Sequence, residues 1–267
     1  IGVGHLAFRP GLPLQRVGDL VIGLDGRLEG PGGDPLVDAC VEVARLYRLD
    51  GVEGLGRLQG DFATVIWDAG AGRLICARDA LGARPLVYAS RPTGFVFASE
   101  ERGLLPALNG EDVDDLRIAE FLVGVPPPAE RGQRPSVFRA PPGAAVVVSQ
   151  DGIEVPRFAA LDMPAPTTDG AGRQAARFRS LLLDAVRRRT VAEPVVDCFL
   201  SGGLDSSSIA CLAAAQTATP LRTLSLVDDD HCLTGRAATR RAQATGQAVE
   251  ADLGPLHPAS HPAEDRA

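Results

Sequence analysis

The residues best suited to chemistry form a serine- and glycine-rich segment, Leu200–Ser207, with the sequence LSGGLDSS. A short apolar run precedes the segment and an alanine-rich run follows it, which predicts a strand, a loop and a helix in that order. Gly202 and Gly203 lack a Cβ atom, so the backbone can turn sharply and a phosphate group can approach it closely. The first amides of the following helix would donate hydrogen bonds to the same anion. The segment therefore predicts a phosphate-binding loop.

The side chains of this loop add hydroxyl donors and one carboxylate. Ser201, Ser206 and Ser207 supply the hydroxyls. Asp205 would repel a bare phosphate, because both groups are negatively charged. A Mg²⁺ ion between them removes that repulsion, since Mg²⁺ is commonly held by one or two carboxylates together with phosphates. We therefore expect Asp205 to hold Mg²⁺ through the phosphates, and the alternative role of this residue is a helix N-cap.

Composition narrows the possible classes of protein. The 267 residues are 45% hydrophobic and 23% charged, which is ordinary for a globular protein of two modest domains. The net charge of −7 predicts no binding of nucleic acid or of an anionic membrane. The sequence has no apolar run of about 18 residues and no signal-peptide pattern. Five scattered cysteines without a Cys-x-x-Cys pair fit the reducing cytoplasm.

The first 158 residues alternate short apolar runs with turns, which is typical of β-hairpins. The expected hairpins join residues 62–68 to 73–79, 85–89 to 94–98, and 144–149 to 153–158. A turn is expected at Asp25–Gly26. Helical periodicity predicts a helix over residues 35–47 with Asp34 as its N-cap, and a short helix over residues 116–123.

The remainder of the chain has a different pattern. A proline- and glycine-containing linker is expected before a helix over residues 173–190. That helix is expected to bury four apolar side chains, those of Phe178, Leu181, Leu182 and Val186. Strands at 195–200, 221–227 and 248–253 alternate with a helix after the loop and another at 234–245. This alternation predicts a parallel, doubly wound sheet.

Six motifs, in order along the chain, resemble those of the asparagine synthetase family. They are Gly60–Ala63, Trp67–Asp68, Ala77–Leu86, Phe97–Glu100, Pro141–Gly143 and the loop Leu200–Ser207. The loop resembles the SGGxDS pattern of enzymes that cleave ATP to AMP and pyrophosphate, and it lacks the Lys of a Walker loop. The resemblance covers nearly the whole chain but omits the start and the end of the family's pattern, which indicates a fragment.

The resemblance implies a fold of two domains. Residues 1–158 would form a glutaminase-like α+β domain of the Ntn type, in which two β-sheets lie between helices as an αββα sandwich. Residues 159–171 would be a linker. Residues 172–267 would form an incomplete α/β ATP-pyrophosphatase domain with a Rossmann-like, parallel sheet.

The resemblance also implies a reaction. Family members use ATP and Mg²⁺ to adenylate a carboxylate and then transfer an amine to it. The ATP-binding residues would be Leu200, Ser201, Gly202, Gly203, Asp205, Ser206, Ser207 and Leu226. Leu200 and Leu226 would flank the adenine, although each could equally be an ordinary core residue. The implied partners are a small-molecule or peptide carboxylate and a second copy of the chain.

Four departures from the family pattern bear on catalysis. The family's nucleophile is an N-terminal Cys, whereas the segment starting at Ile1 resembles a later part of the pattern. Ala7 stands near the position of the family's glutamine-binding Arg. Asp25 and Gly26 stand where the family has the Asn-Gly of its oxyanion element, and a carboxylate there would repel an oxyanion. Only Asp34 keeps the family's glutamine-site Asp. All 27 basic residues are Arg, so no Lys fills the family's catalytic Lys position.

Three functions stay open on this sequence. The first is an asparagine-synthetase-type amide ligase that uses glutamine or ammonia. The second is a related macrolactam cyclase of the lasso-peptide type, in which the ATP loop is kept and the glutaminase site is lost. The third is an inactive fragment or pseudoenzyme that binds nucleotide weakly or not at all.

We expect the purified chain to release no glutamate from glutamine, because the nucleophile is absent and Asp25 disfavours an oxyanion. A coupled glutamate assay with purified protein and a protein-free blank measures this. Glutamate release above the blank would contradict the expectation.

Overall fold

The structure is a computed structural model that describes residues 14–92, 94–161, 164–191, 193, 195–201, 203–217, 221–225 and 248–250. The chain divides into two compact units, residues 1–165 and 166–267. Within the described residues, none of the helices combines the length and the apolar character needed to span a bilayer.

The described part of the first unit contains nine strands and two α-helices. The strands are β1 (Gln15–Val17), β2 (Leu20–Glu29), β3 (Gln59–Asp68), β4 (Arg73–Arg78), β5 (Val87–Arg91), β6 (Gly94–Ala98), β7 (Val137–Arg139), β8 (Ala145–Ser149) and β9 (Gly152–Glu154). The helices are α1 (Ala39–Gly54) and α2 (Asp115–Leu122), with short 3₁₀ helices at Leu55–Arg57 and Glu101–Ala107.

These strands form two antiparallel sheets. The first has the order β1-β2-β3-β4-β8-β9, and the second has the order β6-β5-β7. The three hairpins expected from the sequence are present as β3–β4, β5–β6 and β8–β9. The short helix expected at 116–123 is present as α2.

Apolar side chains alternate along the strands and bury both faces of each sheet. On one face of the first sheet, Ile22 and Phe62 pack with Val43 of α1 in a single buried cluster. The other face packs against the second sheet, where Cys76 and Val146 meet Leu86 and Ala140. The outer face of the second sheet packs against the 3₁₀ helix Glu101–Ala107, through a cluster that includes Val87, Ala89, Leu104 and Leu108. The layers are therefore helix, sheet, sheet and helix, and the αββα prediction is confirmed.

The predicted start of the first helix is wrong. Pro35 forms a β-bridge with Glu29, and the amide of Leu36 donates to the carbonyl of Leu28 at 2.9 Å. This pairing keeps the backbone extended beyond Asp34, so the helix begins only at Ala39. Asp34 is therefore not the N-cap. Asp38 takes that position, without a side-chain capping bond.

The predicted turn at Asp25–Gly26 is also wrong. β2 passes straight through these residues and pairs with β3 along its whole length, with Asp25 opposite Ala63. A Cβ at position 26 would lie 2.0 Å from the carbonyl oxygen of Asp61, and the φ of Gly26 is +136°. The glycine therefore permits a close approach of two strands rather than a reversal of the chain.

The second unit contains α3 (Ala171–Thr190), β10 (Asp197–Phe199), α4 (Leu204–Ala214), β11 (Arg222–Ser225) and β12 (Ala248–Glu250). The strands pair in parallel in the order β10-β11-β12, which confirms the predicted parallel sheet. The helix expected at 234–245 lies outside the described residues. The core of this unit contains Val186, Leu200, Ala210, Ala213 and Leu221.

Only the C-terminal half of α3 packs as the sequence predicted. Val186 is buried, but Phe178 is 67% exposed and Leu181 is 62% exposed. The packing of this helix against α4 involves its C-terminal half, where the side-chain amide of Gln216 donates to the carbonyl of Leu183 at 3.4 Å. The expectation that Phe178 and Leu181 point inward is therefore wrong.

A buried polar group joins α1 to the β3–β4 hairpin. The Tyr47 hydroxyl donates to Asp68 at 2.8 Å and accepts from Nε of Arg73 at 2.8 Å. Tyr47 is only 4% exposed. Burial, followed by the hydrogen bond to Asp68, raises the pKa of Tyr47 to about 12.

This raised pKa predicts a loss of stability in alkali that depends on Tyr47. An unfolded Tyr has a pKa of about 10, so the folded state holds the phenolic proton more tightly. This difference in pKa adds roughly 2 kcal/mol to the free energy of unfolding. The added stability is fully present below pH 10 and is lost as the pH rises toward 12. Urea unfolding of the unchanged chain and of Tyr47→Phe across this range measures the effect. The two free energies of unfolding should converge, and parallel pH curves would contradict the prediction.

Candidate functional site

The serine- and glycine-rich loop lies between β10 and α4, as the sequence predicted. Gly203 is the N-cap residue of α4. The hydroxyls of Ser201 and Ser206 are 3.0 Å apart, and the amide of Ser201 donates to Oγ of Ser206 at 3.3 Å. The amide of Gly203 donates to Oγ of Ser201 at 3.4 Å. The two serines therefore hold the loop against the first turn of the helix.

Asp205 lies in the first turn of α4, one residue beyond Leu204, where the helix begins. Because Gly203 occupies the N-cap position and no side chain caps the helix, the N-cap role proposed for Asp205 is wrong. Its side chain is exposed beside the amide end of the helix. A carboxylate is favoured there by the helix dipole, and its exposure allows it to meet a cation from solution.

The remaining loop residues divide by burial. Leu200 is 1% exposed and belongs to the core cluster that contains Val186 and Ala210, as its alternative role predicted. Ser207 is 9% exposed, and its amide donates to the carbonyl of Gly203 at 3.2 Å. Gly202 and Leu226 lie outside the described residues.

Two large apolar side chains beside the loop were missed by the sequence reasoning. Phe199 is 84% exposed at the end of β10, and Leu204 is 79% exposed at the start of α4. The alternation of a strand could have identified Phe199, since Leu200 and Phe199 are neighbours that must face opposite ways. These two exposed apolar side chains lie at the two ends of the loop, where the strand ends and the helix begins.

A divalent cation would need more than this chain's described residues to be held at the loop. Those residues contain no group of three or more His, Cys, Asp or Glu side chains that could hold a metal ion. Asp205 alone supplies one carboxylate, which is compatible with Mg²⁺ whose other ligands are phosphates and water. Among the described residues of the loop, Asp205 is therefore compatible with a cation whose remaining ligands are phosphates and water.

The residues expected at the glutamine site are placed separately. Asp25 shares a face of β2 and β3 with Ala63, on the side that meets the second sheet, and Oδ1 of Asp25 is 4.0 Å from NH1 of Arg84. Gly26 follows it in the strand. Asp34 is exposed in the connection before α1, and the structure records no contact between Asp34 and Asp25. Ala7 and the rest of residues 1–13 lie outside the described residues.

Arg78 and Asp79 hold the chain where it passes from the first sheet to the second. The Asp79 carboxylate accepts hydrogen bonds from the amides of Phe62 (3.1 Å), Leu81 (2.9 Å) and Ala83 (3.0 and 3.1 Å). The Arg78 guanidinium donates to three backbone carbonyls, those of Gly82, Arg84 (2.7 Å) and Ala140 (2.8 Å). Both side chains therefore bind backbone groups at this crossing.

Two family models match the chain at these elements. Residues 37–159 match a glutamine amidotransferase domain, and residues 177–243 match asparagine synthase. Asparagine synthetase [glutamine-hydrolyzing] 3 of Bacillus subtilis (strain 168) is 34% identical over 176 residues, which is 63% of this chain and 28% of that protein. A putative asparagine synthetase of Mycobacterium bovis is 32% identical over 178 residues, which is 62% of this chain and 27% of that protein.

This chain is a relative of the asparagine synthetases. The predicted resemblance is confirmed, and so is the expectation that the chain comes from an enzyme family. The chain spans less than a third of the length of these two relatives. Among solved structures, glutamine phosphoribosylpyrophosphate amidotransferase from B. subtilis, complexed with ADP and GMP, overlaps 92% of this chain and 66% of its own at 17% identity. The TM-score of this overlap is 0.33.

The asparagine synthetase motif Ala77–Leu86 thus acts on the fold through Asp79, which is only 4% exposed. We expect Asp79→Ala to lower the free energy of unfolding by about 2–4 kcal/mol, because it leaves the buried amide of Phe62 and the part-buried amides of Leu81 and Ala83 without an acceptor. Urea unfolding measures the change.

Asp151→Ala is the matched control. Asp151 is exposed in the turn between β8 and β9, and its replacement should change stability by less than about 0.5 kcal/mol. Equal effects of the two substitutions would show that the contacts of Asp79 do not stabilise the fold.

Proposed function

We propose that the chain is part of an ATP-dependent amide ligase of the asparagine synthetase type, which activates a carboxylate and joins it to an amine. The observation that carries the proposal is the open strand–loop–helix at Ser201–Ser206, with serine hydroxyls and Asp205 at the amide end of α4. The match of residues 177–243 to asparagine synthase supports it.

In the proposed reaction, a carboxylate oxygen attacks the α-phosphorus of ATP, and the bond to pyrophosphate breaks. An amine then attacks the acyl carbon, and AMP leaves as the new amide forms. The chain's own contribution is to bind the pyrophosphate portion. The first amides of an α-helix have no intrahelical acceptor, so those of α4 are suited to donate to phosphate oxygens.

Ser201 and Ser206 would position this donor set, because their hydroxyls already link the loop to the first turn of α4. Asp205 would hold Mg²⁺ on the phosphates, and the cation supplies positive charge where negative charge accumulates on the leaving pyrophosphate. Phe199 and Leu204 offer the apolar surface on which the base could lie.

A second candidate is a ligase that keeps this ATP loop but does not use glutamine, such as a macrolactam cyclase of the lasso-peptide type. Asp25 favours it, since a carboxylate only accepts hydrogen bonds and lies beside Arg84 rather than offering an amide donor to an oxyanion. The nature of the carboxylate substrate, a cytoplasmic location, a homodimer and the absence of nucleic-acid binding stay predictions.

Replacing Asp205 tests the proposal, because the substitution should weaken ATP binding when Mg²⁺ is present and should not weaken it when Mg²⁺ is absent. Binding of ATP by the purified chain is measured by calorimetry, with Mg²⁺ and with a chelator. Asp205→Ala should weaken Mg²⁺-dependent binding by about tenfold or more, since it removes a ligand of the cation. Without Mg²⁺ the same variant should bind ATP at least as well as the unchanged chain, because a repulsive carboxylate has been removed.

Asp169→Ala is the matched control, since Asp169 precedes α3 and pairs with Arg173 at 3.3 Å. It should leave both affinities unchanged. Equal weakening by Asp205→Ala with and without Mg²⁺ would overturn the cation role. Absence of ATP binding to the unchanged chain would favour the inactive-fragment reading. In the full-length protein, Asp205→Ala should abolish ATP–pyrophosphate exchange.

A further inference from the structure

The first unit contains a second concave site, which is remote in sequence from the nucleotide loop. It is a cleft of about 630 Å³, a volume typical of small-molecule sites. Segments from β4, β5, the 3₁₀ helix and β7 surround it. Its charged lining residues are Arg78, Arg102, Arg134, Arg139, Glu100 and Glu101.

Two of these arginines, Arg78 and Arg134, already bind other groups of the protein. Arg78 donates to the three backbone carbonyls described above. Arg134 donates from Nε to the carbonyl of Glu111 at 2.9 Å and lies 3.7 Å from the carboxylate of Glu101. Glu101 does so too, because its other oxygen accepts from the amide of Gln133 at 2.7 Å.

The other two arginines, Arg102 and Arg139, line the cleft together with the exposed carboxylate of Glu100. Within the described residues, no carboxylate forms an ion pair with the guanidinium of Arg102 or of Arg139. Arg139 is half-buried on β7, and Arg102 is exposed on the 3₁₀ helix. Burial lowers the pKa of Arg78, the charge of Asp79 opposes this by raising it, and the charge of Arg139 lowers it, so the guanidinium groups of Arg78 and Arg139 lie within each other's field.

A cleft that concentrates unpaired guanidinium groups attracts anions, because concave low-dielectric walls focus the field. The planar guanidinium matches the paired oxygens of a carboxylate or phosphate. The lining also contains apolar residues, among them Pro85 and the 40%-exposed Leu105. This combination suits an anion attached to an apolar body better than a bare inorganic ion.

We propose that this cleft binds a small organic anion, whose carboxylate or phosphate meets Arg139 and Arg102 and whose apolar part lies against Pro85 and Leu105. The site belongs entirely to the first unit and does not depend on the ATP loop. It is therefore a binding site in addition to the proposed ligase function.

Four probes separate the parts of this proposal, with binding to the purified chain measured by calorimetry. They are 3-phenylpropionate, phenyl phosphate, acetate and inorganic phosphate. At least one of the two aromatic anions should bind saturably and about tenfold more tightly than its bare counterpart, which is the effect of burying part of a ring. The tighter of the two aromatic anions identifies the charged group as carboxylate or phosphate.

Arg139→Gln should weaken that binding about tenfold or more, the scale of one charge-assisted hydrogen bond. Arg102→Gln, on the exposed helix, should also weaken it and serves if Arg139→Gln fails to fold by circular dichroism. The control is Arg173→Gln, whose side chain is 83% exposed on α3, and it should change nothing. Absence of saturable binding by either aromatic anion, bare ions that bind equally well, or equal effects of the Arg102 or Arg139 variant and the control would overturn the proposal.

Discussion

The backbone amides and carbonyls around the connection from the first sheet to the second must find hydrogen-bond partners outside the strand ladders. Asp79 solves this for the amides and Arg78 for the carbonyls, since one side chain accepts and its neighbour donates. The backbone of Asp79 also accepts from Gly82 and Gly143, both at 2.9 Å. Because buried polar groups without partners are costly, these two side chains stabilise the crossing between the two sheets.

The same arrangement generates the charged cleft. Arg78 is held at the edge of the second sheet by its carbonyl partners, and β7 brings Arg139 to the same edge through its pairing with β5. The neighbouring acid, Glu101, is already bound by Gln133 and Arg134. The contacts that stabilise the crossing thus place guanidinium groups next to apolar residues in the cleft, a combination that favours binding of an organic anion.

The second unit meets a different constraint, because the ligand that we propose for its loop must reach the loop from solvent. The parallel strands place the loop at the carboxyl end of β10, beside the amide end of α4, which is where open α/β sheets bind ligands. Leu200 secures the loop by entering the core, whereas Asp205 stays exposed one turn away. Phe199, the residue just before Leu200, is 84% exposed, because neighbouring residues at the end of a strand point to opposite sides.

The sequence by itself determined the order of strands and helices, the three hairpins, the parallel sheet and the placement of the loop between a strand and a helix. These features follow from apolar periodicity and turn residues, which act over a few neighbours along the chain. Only the tertiary structure decided that Asp25 lies inside a strand, that Asp34 precedes an extended segment, and that Arg139 comes close to Arg78. The physical reason is that each depends on which distant strand approaches: β3 closes on Gly26, Leu28 pairs with Leu36, and β7 adds to β5. Local sequence carries no information about those neighbours until the sheets have formed.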